Sequence, residues 1–105
     1  MSEAIAVIYR WRIAPTAEAA FRERWRAATL ELRADHGGLG SLLGRNAAGE
    51  FVAIALWPSG ATRQAAFVQR ASPSPIAGVE FLGEEVLQVS DDLWLASAFQ
   101  LGSID

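Results

Sequence analysis

Phe51-Val52-Ala53-Ile54-Ala55-Leu56-Trp57-Pro58-Ser59 decides the fold: an apolar run that reads as a buried strand stops at a tryptophan, and Pro58-Ser59 turns the chain into a helix. Proline has no N–H with which to continue a β-ladder, and a serine hydroxyl just after it accepts from the orphan amides of a helix N-terminus. Upstream, Gly37-Gly38-Leu39-Gly40-Ser41 joins a long amphipathic segment to another short strand. The two marks frame a helix, a hairpin and a second helix.

Ahead of that frame, Ala4 to Ile13 alternates as a strand, with Ile5, Val7, Tyr9, Trp11 and Ile13 on one face and Ala6, Ile8, Arg10 and Arg12 on the other. Apolar residues on both faces imply that both are covered for part of their length. Pro15 ends the strand, and Thr16 is the expected N-cap of the helix that follows. Phe21, Trp25, Ala28 and Leu32 recur at helical spacing while Glu18, Arg22, Glu23, Arg26 and Glu31 fall elsewhere, which makes a one-sided helix of about five turns. His36 lies in its last turn, and Gly37 supplies the left-handed position beyond it. Leu39 to Arg45 reads as a strand, Asn46 to Gly49 as a turn, and Glu50 to Trp57 as the antiparallel partner. A helix over Gly60 to Ala71 is expected to bury Ala65, Ala66 and Phe67 and to stop at Ser72-Pro73-Ser74-Pro75. Val79, Leu82, Val86 and Val89 again show helical spacing, against which Gly83 counts. After Ser90-Asp91-Asp92, whose adjacent carboxylates read as turn residues rather than an acid–base pair, Leu93 to Leu101 is the expected last strand.

Strand, helix, strand, strand, helix, strand is the α+β, ferredoxin-like βαββαβ arrangement with an antiparallel sheet, here expected as one domain over residues 1–105. Its two helices cover one sheet face. On the other, Ile8, Val52 or its neighbours and an alternating set from Leu93 to Phe99 are left in water, at a cost of roughly 1.5–3 kcal/mol for each large side chain. A second copy of the same sheet is the simplest cover, so a homodimer closing a dimeric α+β barrel is expected.

Composition narrows the partners. Of 105 residues 51% are hydrophobic and four are tryptophan, so part of the apolar surface is expected to line a cavity or meet a partner chain. The net charge of −3, with nine basic residues that are all arginine, argues against nucleic acid and anionic membranes, which are drawn by clustered positive charge. There is no cysteine and one histidine, so disulfides, thiolate sites and a multi-histidine metal centre within one chain are excluded. Met-Ser-Glu-Ala lacks the basic and apolar regions of a secretion signal, and no run approaches a membrane span, so the expected compartment is the cytoplasm.

Tyr9-Arg10-Trp11-Arg12-Ile13-Ala14-Pro15 before a helix with Phe21 and Trp25, then Gly37-Gly38-Leu39-Gly40-Ser41, then Ala55-Leu56-Trp57-Pro58-Ser59 and an Ala-rich helix with Arg63 and Phe67, resembles the antibiotic biosynthesis monooxygenase (ABM) domain family. The resemblance covers residues 5–70, and beyond them only the element order agrees. The family includes cofactor-independent quinone-forming oxygenases and haem-degrading oxygenases. The haem-degrading branch carries an Asn on the first strand, and a Trp and a haem-ligating His beyond the strand-ending Trp. Here the only Asn is Asn46 in the hairpin turn, and the later positions fall near Ala66 and Ile76, so haem chemistry is not expected.

The quinone-forming branch implies a phenol or anthrone that is deprotonated and then passes an electron to molecular oxygen, with no cofactor. It needs aromatic walls, a polar handle and a proton acceptor. Tyr9, Trp11, Trp25, Trp57 and Phe67 are the candidate walls for a small apolar or aromatic ligand, Arg10 and Arg12 the candidate handles, and Tyr9 or His36 the candidate base. Each has a structural alternative. Trp25 and Trp57 also serve as core, Arg10 and Arg12 as ion-pair partners of Glu50 or Glu80, and a protonated His36 as complement to the helix dipole. A barrel that binds an apolar ligand without turning it over, or a ring isomerase or cyclase on the same scaffold, stand beside the oxygenase as alternatives.

Overall fold

The computed structural model describes residues 3–70 and 73–94. Strand β1 (Ile5–Ile13) runs through a short 3-10 turn, Pro15–Ala17, into helix α1 (Glu18–Asp35). The hairpin follows as β2 (Gly40–Arg45) and β3 (Phe51–Trp57), then helix α2 (Gly60–Gln69) and strand β4 (Val79–Gln88). The four strands form one antiparallel sheet in the order β2-β3-β1-β4, the ferredoxin-like topology. No helix among the described residues is long and apolar enough to cross a membrane.

Local signals explain most of the element ends. Ser59 accepts from the Thr62 N–H at 3.1 Å and so caps α2 as expected. Thr16 does not cap α1: the turn at Pro15 feeds directly into the helix, closed by the Ala17 N–H on the Ala14 carbonyl at 2.8 Å. At the other end Gly37 has φ +80°, and a Cβ there would meet the Thr62 methyl at 2.9 Å, so both conformation and space call for glycine. In the hairpin turn the Asn46 side-chain oxygen accepts from the N–H groups of Ala48 and Glu50, at 3.1 and 2.9 Å.

The region from Val79 onward departs from expectation. Val79, Leu82, Val86 and Val89 do not make a helix, because residues 79–88 pair with β1 as an edge strand. The pairing shifts between Arg10 and Trp11: Phe81 lies opposite Trp11 and Gly83 opposite Arg10, which leaves Leu82 as an extra residue. Gly83, at φ +128°, sits in this bulge. The strand expected over Leu93 to Leu101 lies, from residue 95 onward, outside the described residues.

Both helices pack on the face of β1 that carries Val7, Tyr9 and Trp11. Val7, Trp57 and Ala66 form the buried cluster, with Ile5, Tyr9, Leu32 and Ala55 against it. Phe21 lies edge-on to Trp11 and Phe51, with centroids 4.9 and 5.7 Å away. Of the residues expected to be buried on α2 only Ala66 is; Ala65 and Phe67 are exposed. The opposite sheet face carries no helix. Leu42, Ile54 and Ile8 form one row across three strands, flanked by Val52 and Leu87, and none of the five is buried.

Candidate functional site

A cavity of about 340 Å³ opens between the sheet and the helices. Strand alternation places Tyr9 and Trp11 on its sheet side, with rings stacked at 5.7 Å. Helix α1 contributes the stripe Trp25, Ala28, Thr29 and Leu32, which recurs at helical spacing. Trp57 closes the end of β3, and Phe67 of α2 meets it edge-on at 6.0 Å. All five aromatic candidates from the sequence thus line one cavity.

The polar candidates divide differently. Arg10 and Arg12 do not line the cavity; they alternate with Tyr9 and Trp11 onto the helix-free face, where both approach Glu50 and Arg12 bonds Glu80 at 2.9 Å. Strand periodicity makes that separation unavoidable. His36 is also outside the lining: its Nε2 lies 3.5 Å from Glu31, and its buried Nδ1 has no hydrogen-bond partner among the described residues.

The cation that reaches Tyr9 is Arg63. From the first turns of α2 its Nη2 donates to the Tyr9 hydroxyl at 3.0 Å and to Glu84 at 2.8 Å, tying α2 to the central and edge strands. Burial pushes the Tyr9 phenol above its ordinary pKa, and Arg63, pulling the other way, does not cancel the effect. Tyr9 is therefore a neutral phenol at physiological pH. Because Arg63 donates to its oxygen, the phenolic hydrogen is left to donate. Trp57, another lining residue, has a buried indole Nε1 with no acceptor among the described residues.

Arg70 is the only charged side chain lining the cavity among the described residues. Its Nε donates to Glu31 at 2.9 Å, and that bond, together with the Arg70 charge, holds the Glu31 carboxyl below its usual range. Sequence reasoning assigned no role to Arg63, Glu84 or Arg70. Arg63 and Arg70 stand four before and three after Phe67, on its face of the helix, and that spacing is a signal for both. Glu84 was out of reach while its segment read as helix.

No protein-family model matches the sequence, and no curated protein matches it. Solved structures do. Over 90% of this chain and 99% of its own, a haem-degrading protein of Mycobacterium tuberculosis superposes with TM-score 0.67 at 18% identity. SnoaB, a cofactor-independent oxygenase from Streptomyces nogalater, gives 0.68 at 16% identity over 88% of this chain and 98% of its own. A further Mycobacterium tuberculosis protein, Rv0793, gives 0.60 at 24% identity, over 87% and 99%. The chain has the ferredoxin-like fold that these structures share. Haem does not fit the residues present: the one histidine, His36, is outside the cavity lining, Ala66 is buried in the core, and Ile76 lies in the loop ahead of β4.

Proposed function

We propose that this chain binds a small fused-ring phenol or anthrone in the aromatic cavity and oxygenates it with molecular oxygen, without a cofactor, as a homodimer closed through the helix-free sheet faces. The observation that carries the reading is the pairing of an apolar aromatic cavity with two unspent donors, the Tyr9 hydroxyl and the Trp57 indole. An anthrone that loses its methylene proton becomes an aromatic enolate, and donors aimed at its oxygen stabilise that anion. The electron-rich ring then passes an electron to dioxygen. Overall the methylene carbon loses two hydrogens and gains a carbonyl oxygen, and the second oxygen atom leaves as water, so dioxygen accounts for the whole four-electron oxidation. The fold shared with a cofactor-independent oxygenase supports this class of chemistry.

Tyr9 in this reading donates to the developing oxyanion. Among the described residues no carboxylate or imidazole lines the cavity, so the substrate must be acidic enough to ionise to solvent. The same observation favours a second reading, in which the cavity holds its ligand without turnover, and it weighs against an isomerase or cyclase, which needs an acid–base pair. Oxygen uptake with anthrone and a panel of quinols separates the two. Turnover that drops about 10²- to 10³-fold in Tyr9→Phe supports oxygenation. Saturable binding with no uptake leaves the binding reading.

A further inference from the structure

The cavity is mainly apolar, and among the described residues it carries one charged side chain. Arg70 follows the last residue of α2, its backbone N–H bonded to the Ala66 carbonyl at 3.1 Å, and its side chain is largely buried, at 21% exposure. Glu31 takes its Nε–H at 2.9 Å. The two Nη groups have no hydrogen-bond partner among the described residues, and the side chain lines the aromatic cavity. A guanidinium held through Nε presents the Nη edge in a fixed plane, with parallel N–H bonds that match the two oxygens of a carboxylate.

Resting on the reading of this cavity as the ligand site, we propose that its ligand is an aromatic carboxylate, bound with the ring system against Trp25, Trp57 and Phe67 and the carboxylate on Arg70. The volume of about 340 Å³ suits two or three fused rings and one short acidic substituent. A neutral polycycle would leave the partly desolvated Nη groups unpaired, whereas a carboxylate satisfies them. Glu31 competes for the same cation. It positions the guanidinium and also weakens its attraction for a ligand anion. Thr29 and Ser41, which line the cavity as well, offer hydroxyls that accommodate either ligand form and do not select the charge.

Calorimetric titration of the purified full chain with anthracene-2-carboxylate and with anthracene-2-carboxamide tests the proposal. The carboxylate should bind at least tenfold more tightly. In Arg70→Gln that preference should vanish while the carboxamide affinity stays, and in Arg70→Lys it should be partly retained. Glu31→Gln should tighten the carboxylate severalfold and leave the carboxamide unchanged, a readout that a purely structural Arg70–Glu31 pair would not give. Equal binding of the two compounds to the wild type, or a preference that survives Arg70→Gln in a protein with unaltered circular dichroism, overturns the carboxylate assignment and leaves the cavity as a binding site. If neither compound binds, the cavity reading fails and the assignment goes with it.

Discussion

The Arg63 guanidinium stands 3.0 Å from the Tyr9 hydroxyl and 2.8 Å from the Glu84 carboxylate, so one cation serves both the only phenol in the chain and a carboxylate of the edge strand. Burial raises the Tyr9 pKa, Arg63 lowers it by hydrogen bond and charge, and Glu84 adds a smaller upward push. With one tyrosine, ultraviolet absorbance of tyrosinate reads a single group. The wild-type midpoint should lie above the ordinary value of about 10. It should move further up in Arg63→Met and down in Glu84→Gln. A raised folded-state pKa means that the stability tied to the neutral phenol is present below the unfolded value and is lost as pH rises through the folded one. Chemical denaturation across that window should show an alkaline loss that Tyr9→Phe lacks. An Arg63→Met midpoint at or below the wild-type one would contradict the arrangement.

Trp25 and Trp57 line the same cavity but differ in burial, and substitution should separate them. Trp57 is 2% exposed and belongs to the central cluster with Val7 and Ala66, so Trp57→Ala should cost about 3–5 kcal/mol in urea denaturation. Trp25 is only partly buried, and Trp25→Ala should cost clearly less while weakening ligand binding more than it weakens the fold. Trp57→Phe keeps most of the packing and loses the indole donor. Ligand affinity unchanged in Trp57→Phe would remove that donor from the site.

The frame from β1 to α2 was legible because its signals are local and agree with one another. Pro58-Ser59, Gly37 and the Asn46 turn each fix one junction, and two clear periodicities lie between them. The aromatic walls followed from the same periodicities. The edge strand was hidden by its bulge. Val79 and Phe81 share a face with Ile13 and Trp11, but after Leu82 the same face takes Glu84 and Val86, so the alternation changes parity mid-strand and leaves apolar residues at intervals of three and four. That pattern imitates a helix. Reading a helix there removed Glu84 from consideration and left Arg63 without a partner to suggest its role. Arg10 and Arg12 were drawn into the site by their nearness in sequence to Tyr9 and Trp11, which in a strand guarantees the opposite face.

The helix-free face should bring two copies together. Leu42, in the row with Ile54 and Ile8, and Leu87 beside it are 40% and 42% exposed in one chain. Light scattering at micromolar concentration should give twice the chain mass, and Ile54→Arg should halve it while far-ultraviolet circular dichroism is kept. The substituted arginine would meet its symmetry copy or apolar neighbours, and a desolvated unpaired charge is costly. A wild-type monomer at these concentrations would refute the closed barrel and leave the apolar row in need of another cover.

Haem should not be turned over, although the fold is shared with a haem-degrading protein. Axial ligation needs an imidazole at the iron. The one imidazole here sits just past the end of α1 with Nε2 facing Glu31, outside the cavity lining. The two positions where the resemblance would place the missing tryptophan and histidine hold Ala66, packed against Val7 and Trp57, and Ile76, in the loop between α2 and β4. Haem added to the protein should give at most the broad absorption of apolar adsorption, unchanged in His36→Ala, and with reductant and oxygen it should release no iron above a protein-free control. A sharp histidine-ligated spectrum abolished by His36→Ala, or iron release that depends on the folded protein, would show that the chain reaches the iron by a route its residue positions do not provide.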